Sequence, residues 1–246
     1  SKYKNIVWES SVISKRVISW ILNSEIILNN TSDLFKKEFF QSIIVQTNHL
    51  KKNIKFEYDY QKKIEIISAI LLTGLIFKEY SENFQSSVTE LEKIVDIFFD
   101  TDGFPVNRNS NCLVQCSKYL ILIKECIKDS QKYVPEYLDE IIDKHLTCLN
   151  TIINPNNQLP LFNGATETNQ ENFLNYIQRL NYKFKKTKDI IGGLQIIKYK
   201  KNIVYFDVGN PPNKKFSNNY QSGPLSFEYF FDNIKVITNC GYGDNI

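Results

Sequence analysis

Methionine is absent from all 246 residues, and histidine occurs only twice. The chain opens on Ser1 and stops at Ile246 inside what reads as a strand, so it is expected to be a fragment of a longer protein. Any secretory signal would then lie upstream of this window. Charge of one sign is also lacking. Thirty Lys and Arg against 27 Asp and Glu leave a net charge of +3, which excludes the strong basic footprint of a nucleic-acid binder. No apolar run reaches the ~18 residues that a membrane-spanning helix needs. The longest, Ile64–Phe77, is broken by Glu65, Ser68, Thr73 and Gly74, so no transmembrane segment is expected here. Five cysteines cannot pair completely within one chain. Cys112 and Cys116 have helical i, i+4 spacing, but no further ligands stand at metal-site spacing. Buried structural thiols are therefore expected, with no metal and no cofactor. What is present is ordinary: 42% hydrophobic and 23% charged residues, as in a globular protein rather than a disordered or collagen-like one. The length suits one large domain or two smaller ones.

The first two-thirds of the chain carry helical periodicity. A helix is expected from about Trp8 to Asn29, with Val12, Val17, Trp20, Ile21 and Ile27 recurring along it. The next begins near Asp33, a good N-cap type, and a third covers about Gln61–Tyr80. Ser87 and Glu90 form a capping-box pattern for a fourth, ending near Phe99. Asp100–Gly103 and Pro105 interrupt the pattern. A fifth helix is expected over Asn111–Lys128, and a sixth from Pro135 to Asn154-Pro155. The loop Asn154–Thr168 and a short helix Gln170–Leu180 follow. After Lys188 the period changes to two: Leu194, Ile196 and Lys198, then Val204, Phe206 and Val208, form a hairpin around Lys200–Asn202. Leu225–Phe230 and Ile234–Asn239 read as a second pair around Asp232-Asn233. Helices followed by antiparallel strands predict an α+β multidomain chain: a helical domain, 1–187, and a β domain, 188–246. The similar helix lengths and short connections fit an α-helical toroid or solenoid.

Four segments, in order, resemble the heparinase II/III-like family of polysaccharide lyases. These are Trp8–Trp20, with its Arg16-Val17 and Trp20; Asp102-Gly103 with Asn107-Arg108-Asn109; Leu161-Phe162-Asn163-Gly164; and Asp207-Val208-Gly209 through Gly223–Glu228 to Ile237–Gly241. The resemblance implies an α/α toroid, incomplete here, followed by the start of an antiparallel β-sandwich whose remaining strands lie beyond Ile246. It implies β-elimination on a uronate-containing acidic polysaccharide, and it allows a periplasmic or cell-envelope location. Such a reaction needs a base for the C5 proton, an acid for the leaving oxygen and a donor aimed at the uronate carboxylate. The usual His/Tyr/Asn set is not kept. Phe104-Pro105 stand where the family often has Gly-His, Cys112-Leu113 where it has Tyr-His, and Tyr60-Gln61-Lys62 where it has Gly-Asn-His. Gln221 replaces a histidine before the Leu-Ser-Phe stretch. An alternative is therefore a catalytically silent carbohydrate-binding or envelope-polysaccharide biosynthesis protein on the same scaffold.

The catalytic residues are left unassigned, and three polar matches are the candidates for substrate binding. Arg108 is either a carboxylate clamp, which its guanidinium suits, or one half of an ion pair with an acidic residue of the helical domain. Asn163 is either a sugar contact or an Asx turn with Gly164. Gln221 is either a sugar-binding amide or a surface loop residue. His49 is expected to face solvent, and His145 to be structural or exposed. Lys183–Lys188 reads as a solvated linker. Asp102 and Glu167 are a remote candidate for a glycoside-hydrolase carboxylate pair.

Overall fold

In a computed structural model the residues described are 6–218, 220, 223 and 225–239. Gln221 and Cys240 lie outside them. Eight α-helices precede five strands among the described residues. The helices are α1 (Ser10–Leu22), α2 (Ser24–Leu28), α3 (Asp33–Asn53), α4 (Tyr60–Ile76), α5 (Glu82–Phe98), α6 (Ser110–Asp129), α7 (Glu136–Ile152) and α8 (Glu171–Arg179). None is long and apolar enough to cross a membrane.

The chain forms two compact units. The first contains residues up to Val95 and Tyr119–Leu138; the second contains Asp96–Lys118 and the residues from Asp139 onward. Helices α5, α6 and α7 each contribute to both.

The first unit is built on α4. Every residue from Ile64 to Gly74 is buried, as expected of a helix that is apolar all round. Ile66, Ala69, Ile70 and Leu72 of α4 join Ile13, Val17 and Ile21 of α1 and Phe39, Ile43 and Leu50 of α3 in one core. The polar residues of α4 find partners within it. Ser11 donates to Glu65 Oε1 at 2.9 Å, and Thr47 and Thr73 hydroxyls meet at 3.0 Å. Burial pushes the Glu65 carboxyl above its ordinary range despite that bond.

The helix limits depart from expectation in three places. The first expected helix is divided at Asn23, whose side chain donates to Ser19 O at 2.8 Å; such local bonds compete with helix continuation. The cap of α3 is Ser32, which accepts from Phe35 N, with Asp33 already in the first turn. Helix α5 starts five residues before the expected capping box, at Glu82. Its first turn is held by Asn83, fully buried and accepting from Lys51 Nζ at 2.7 Å.

In the second unit, β1 (Ile190–Ile191), β2 (Leu194–Tyr199), β3 (Asn202–Asp207), β4 (Phe227–Phe231) and β5 (Ile234–Ile237) form one antiparallel sheet in sequence order. Strand β1 was not expected from the sequence. It is joined to β2 by Gly192 and Gly193, both with positive φ, as a two-residue hairpin of primed type requires. Asp232 and Asn233 do the same between β4 and β5. The inward face buries Leu194, Ile196, Tyr205 and Phe230, with the Tyr205 and Phe230 rings edge to face at 5.9 Å.

Candidate functional site

The site lies wholly in the second unit, where the loop after α5 meets the loop 160–165 and the first hairpin. A bridge between Phe99 and Pro105 closes the first loop. Inside it Asp100 Oδ1 accepts from the backbone of Asp102 (2.9 Å) and Phe104 (2.8 Å). Gly103 turns the chain at φ +84°. Burial holds the Asp100 carboxyl above the usual carboxylate range, and the backbone bonds offset only part of that.

Arg108 follows at φ +60°, a left-handed conformation uncommon for a residue of its size. Its guanidinium carries five N–H donors, and five acceptors meet them. Nε donates to Gly192 O (3.0 Å), Nη1 to Gly209 O and Asn210 O (3.2 Å each), and Nη2 to Gly193 O (3.0 Å) and to Asp207 Oδ1. The pair is buried, with side-chain exposures of 7% for Arg108 and 2% for Asp207. Glycine is required on both sides of the guanidinium. A Cβ at Gly193 or Gly209 would lie 2.6 Å from an Arg108 atom, inside any real contact distance.

The expected carboxylate clamp therefore grips a carboxylate of the chain itself. With every donor engaged, the guanidinium has none left for a substrate acid. The ion-pair alternative holds, but its acidic partner is a strand residue, not one from the helical domain. Asp207 is the member that sequence reading missed. A lone carboxylate ending an otherwise apolar period-two strand was the available signal.

Asn163 is 2% exposed and also left-handed, at φ +55°, a conformation asparagine tolerates. Its Nδ2 donates to Arg108 O at 3.4 Å, so it bonds across to the neighbouring loop, with no bond of its side chain to its own turn among those observed. Asn109 Nδ2 donates back to Asn163 O at 3.1 Å, and Ser110 Oγ to Pro160 O at 2.9 Å. Asn109 Oδ1 also caps α6 through Cys112 N at 3.1 Å. The sequence candidates Arg108 and Asn163 are thus brought together through backbone carbonyls, while Gln221 lies outside the described residues.

Glu228 braces the same loop from β4. It is fully buried and accepts from Leu161 N (3.3 Å), Thr238 Oγ1 (3.2 Å) and Asn239 N (3.1 Å). Burial nevertheless raises its carboxyl, against the attraction of Lys235. The Tyr205 phenol is buried with no partner for its hydroxyl, and burial, then the Glu228 charge, pushes it up.

A pocket of about 390 Å³ opens beside Arg108, walled by Asp100, Val106, Gly193, Gly209 and Phe216 among others. Asn163 does not line it. Asp100 is the one carboxyl on its wall. No group of three His, Cys, Asp or Glu placed to hold a metal occurs among the described residues.

The remaining candidates separate. His145 is buried, with Nδ1 2.9 Å from Ser117 Oγ and its ring 4.7 Å from that of Phe99. Burial lowers its pKa to about 3, so it is a neutral core imidazole. His49 does not face solvent as expected; it is half-buried with its ring 5.2 Å from Trp8. Asp102 pairs with Lys188, and Glu167 accepts from Gln158 at 3.1 Å, each carboxylate engaged separately. Cys112, Cys116 and Cys148 are buried thiols outside any disulfide.

Residues 191–245 match the family model described as heparinase II/III-like, C-terminal. Among solved structures, the fold is similar to that of a heparinase III, with TM-score 0.75 and 13% identity over 95% of this chain and 43% of that one. The heparan sulfate lyase HepC from Pedobacter heparinus gives TM-score 0.69 and 17% identity over 97% of this chain and 42% of its own. The chain thus spans about two-fifths of the length of these structures. Compared by sequence with curated proteins, it matches none. Helices followed by an antiparallel sheet, the α+β architecture expected from the sequence, is the arrangement it shares with them.

Proposed function

We propose that this chain, heparinase II/III-like in its C-terminal segment and in its fold, belongs to a protein that cleaves a uronate-containing acidic polysaccharide by β-elimination. The observation that carries the reading is the likeness of 95% of the chain to a heparinase III structure, joined to the C-terminal family match. In the reaction a base removes the C5 proton, the electron pair forms the C4–C5 double bond, and the C4–O bond breaks as its oxygen takes a proton. Charge grows on the uronate carboxylate as the C5 proton leaves, and donors that tighten on it there raise the rate. In this reading Gln221 supplies an amide to the sugar, while Asn163, buried with its amide on Arg108 O, holds its loop in place. Arg108 acts one step back, fixing the hairpin and the Asn163 loop through its side chain and backbone.

A second reading, glycan binding without turnover, is favoured by one observation. The pocket beside Arg108 has Asp100 as its one carboxyl, and Asp100 Oδ1 already serves the turn. Incubating the protein with heparan sulfate, alginate and related polyuronates separates the two. Elimination gives new ultraviolet absorbance from the unsaturated uronate. Saturable binding with no such product on any of these substrates would refute the lyase reading and leave the binding one.

A further inference from the structure

The first unit holds a second pocket, of about 510 Å³, between the segment before α1, α1 itself and α3. That volume is in the small-molecule range. Trp8 and Trp20 wall it, and Arg16, Glu38, Gln41 and Gln46 bring polar groups to it. Two of those groups are buried without a partner. Gln46, 6% exposed, donates through Nε2 to Ser42 O at 3.1 Å, which leaves Oε1 unpartnered. Turning the amide over would lose that bond and place two acceptors together. Arg16 donates through Nη2 to Val7 O at 2.5 Å and stands 6.0 Å over the Trp20 ring, while its Nε has no partner. Both atoms are closed to solvent, so the polar groups an occupant can reach are led by the exposed Glu38 and Gln41 side chains on the same wall.

The occupant's chemistry follows from the wall. An alkyl chain would cover the indoles but strip water from the exposed Glu38 and Gln41 side chains, which is costly without replacement bonds. A lone anion would suit Arg16 but face the Glu38 carboxylate. A pyranose ring has an apolar C–H face for the indoles and hydroxyls that both donate and accept. Glu38 accepts from such hydroxyls, and Arg16 and Gln41 donate to them. We infer that this pocket is a glycan-binding site, remote in sequence from the Arg108 loop, that takes a hydroxyl-rich pyranose unit by shape and hydrogen bonding rather than by net charge. The inference rests on the proposed glycan function only for the kind of polymer that supplies the sugar.

The two tryptophans of the chain are its only ones, and both line the pocket, so intrinsic fluorescence reports on it directly. The test titrates the purified protein with neutral gluco- and N-acetylglucosamine oligosaccharides and with polyuronate oligosaccharides. A saturable change in tryptophan emission is expected with the neutral sugars, nearly unchanged between 50 and 500 mM salt. Glu38 and Gln41 are exposed, so Glu38→Ala and Gln41→Ala should fold normally and weaken binding at least tenfold. No saturable change with a folded protein, binding that is abolished by salt, or an unaltered Kd in both variants would each overturn the inference. The absorbance assay for elimination is read separately. Saturable emission without product leaves this site standing while the lyase reading falls, and product without an emission change does the reverse.

Discussion

Replacing Arg108 or Asp207 tests the central physical claim, that this pair holds the second unit's loops to its sheet. Both side chains are below one-tenth exposed. Removing one partner of a buried, hydrogen-bonded ion pair costs about 3–5 kcal/mol, because the other charge stays buried and uncompensated. Arg108→Met should reach or exceed the upper figure, since it also strips charge-assisted bonds from the carbonyls of Gly192, Gly193, Gly209 and Asn210. Asp207→Ala should sit nearer the lower one, because those carbonyls keep their donors. The double change Arg108→Met with Asp207→Ala should cost less than the sum of the two, since no charge is then stranded. Urea unfolding followed by far-ultraviolet circular dichroism measures all four proteins. Tryptophan fluorescence serves as an internal control, because Trp8 and Trp20 lie in the first unit. Single variants that each lose under about 1 kcal/mol, or strict additivity in the double, would refute the clamp.

Gly193→Ala places a Cβ at 2.6 Å from the Arg108 guanidinium on a residue at φ +74°, so it should destabilise by about 1–3 kcal/mol from backbone strain alone, visible as a lowered urea midpoint. Keeping His145 neutral gives stability that is fully present above pH 6.5 and lost as pH falls from 6.5 toward its folded value of about 3. Between pH 6.5 and 4.5 that loss is about 2 kcal/mol, and His145→Gln should remove it from the pH profile. The raised carboxyls of Glu65, Asp100 and Glu228 act in the opposite sense, favouring the fold as they take up protons, so the variant difference is the quantity to read. Glu228→Ala should speed hydrogen exchange at the Leu161 amide, which it accepts at 3.3 Å; an unchanged exchange rate would show that the loop does not depend on β4.

The parts of the fold that the sequence disclosed are those whose signal is local. Period-two apolar residues around Asp232-Asn233 marked a hairpin, and the buried helix α4 announced itself as an apolar run broken by small polar residues. Strand β1 was missed because two residues carry no period; the Gly192-Gly193 pair was its only signature. The capping-box pattern at Ser87 and Glu90 was overruled by a tertiary contact, Lys51 with Asn83, that no window of sequence contains. For the site, the loops carrying Arg108 and Asn163 were legible as polar breaks between helices. The use of Arg108 was not, because its carboxylate partner lies 99 residues away and the four carbonyls it holds have no side-chain signature at all.

The left-handed residues sharpen what that network does. Gly103, Arg108, Asn163, Gly164, Gly192 and Gly193 all have positive φ, and all belong to the loops that meet at the site. For Arg108 such backbone costs about 1–3 kcal/mol and persists only where surrounding bonds over-determine it, while Asn163 tolerates it at lower cost. Those bonds are the five from the guanidinium, the Asn109–Asn163 and Ser110–Pro160 links, and the Glu228 brace. Removing them should therefore release the loops toward ordinary backbone rather than merely loosen them. An acidic sugar approaching this surface would meet a guanidinium that cannot turn toward it without breaking bonds to the chain. Any recognition of its carboxylate here would need donors other than this guanidinium. Arg108→Met should consequently lower affinity for neutral and acidic oligosaccharides alike at this site. A loss confined to acidic ones would mean that Arg108 touches the substrate after all.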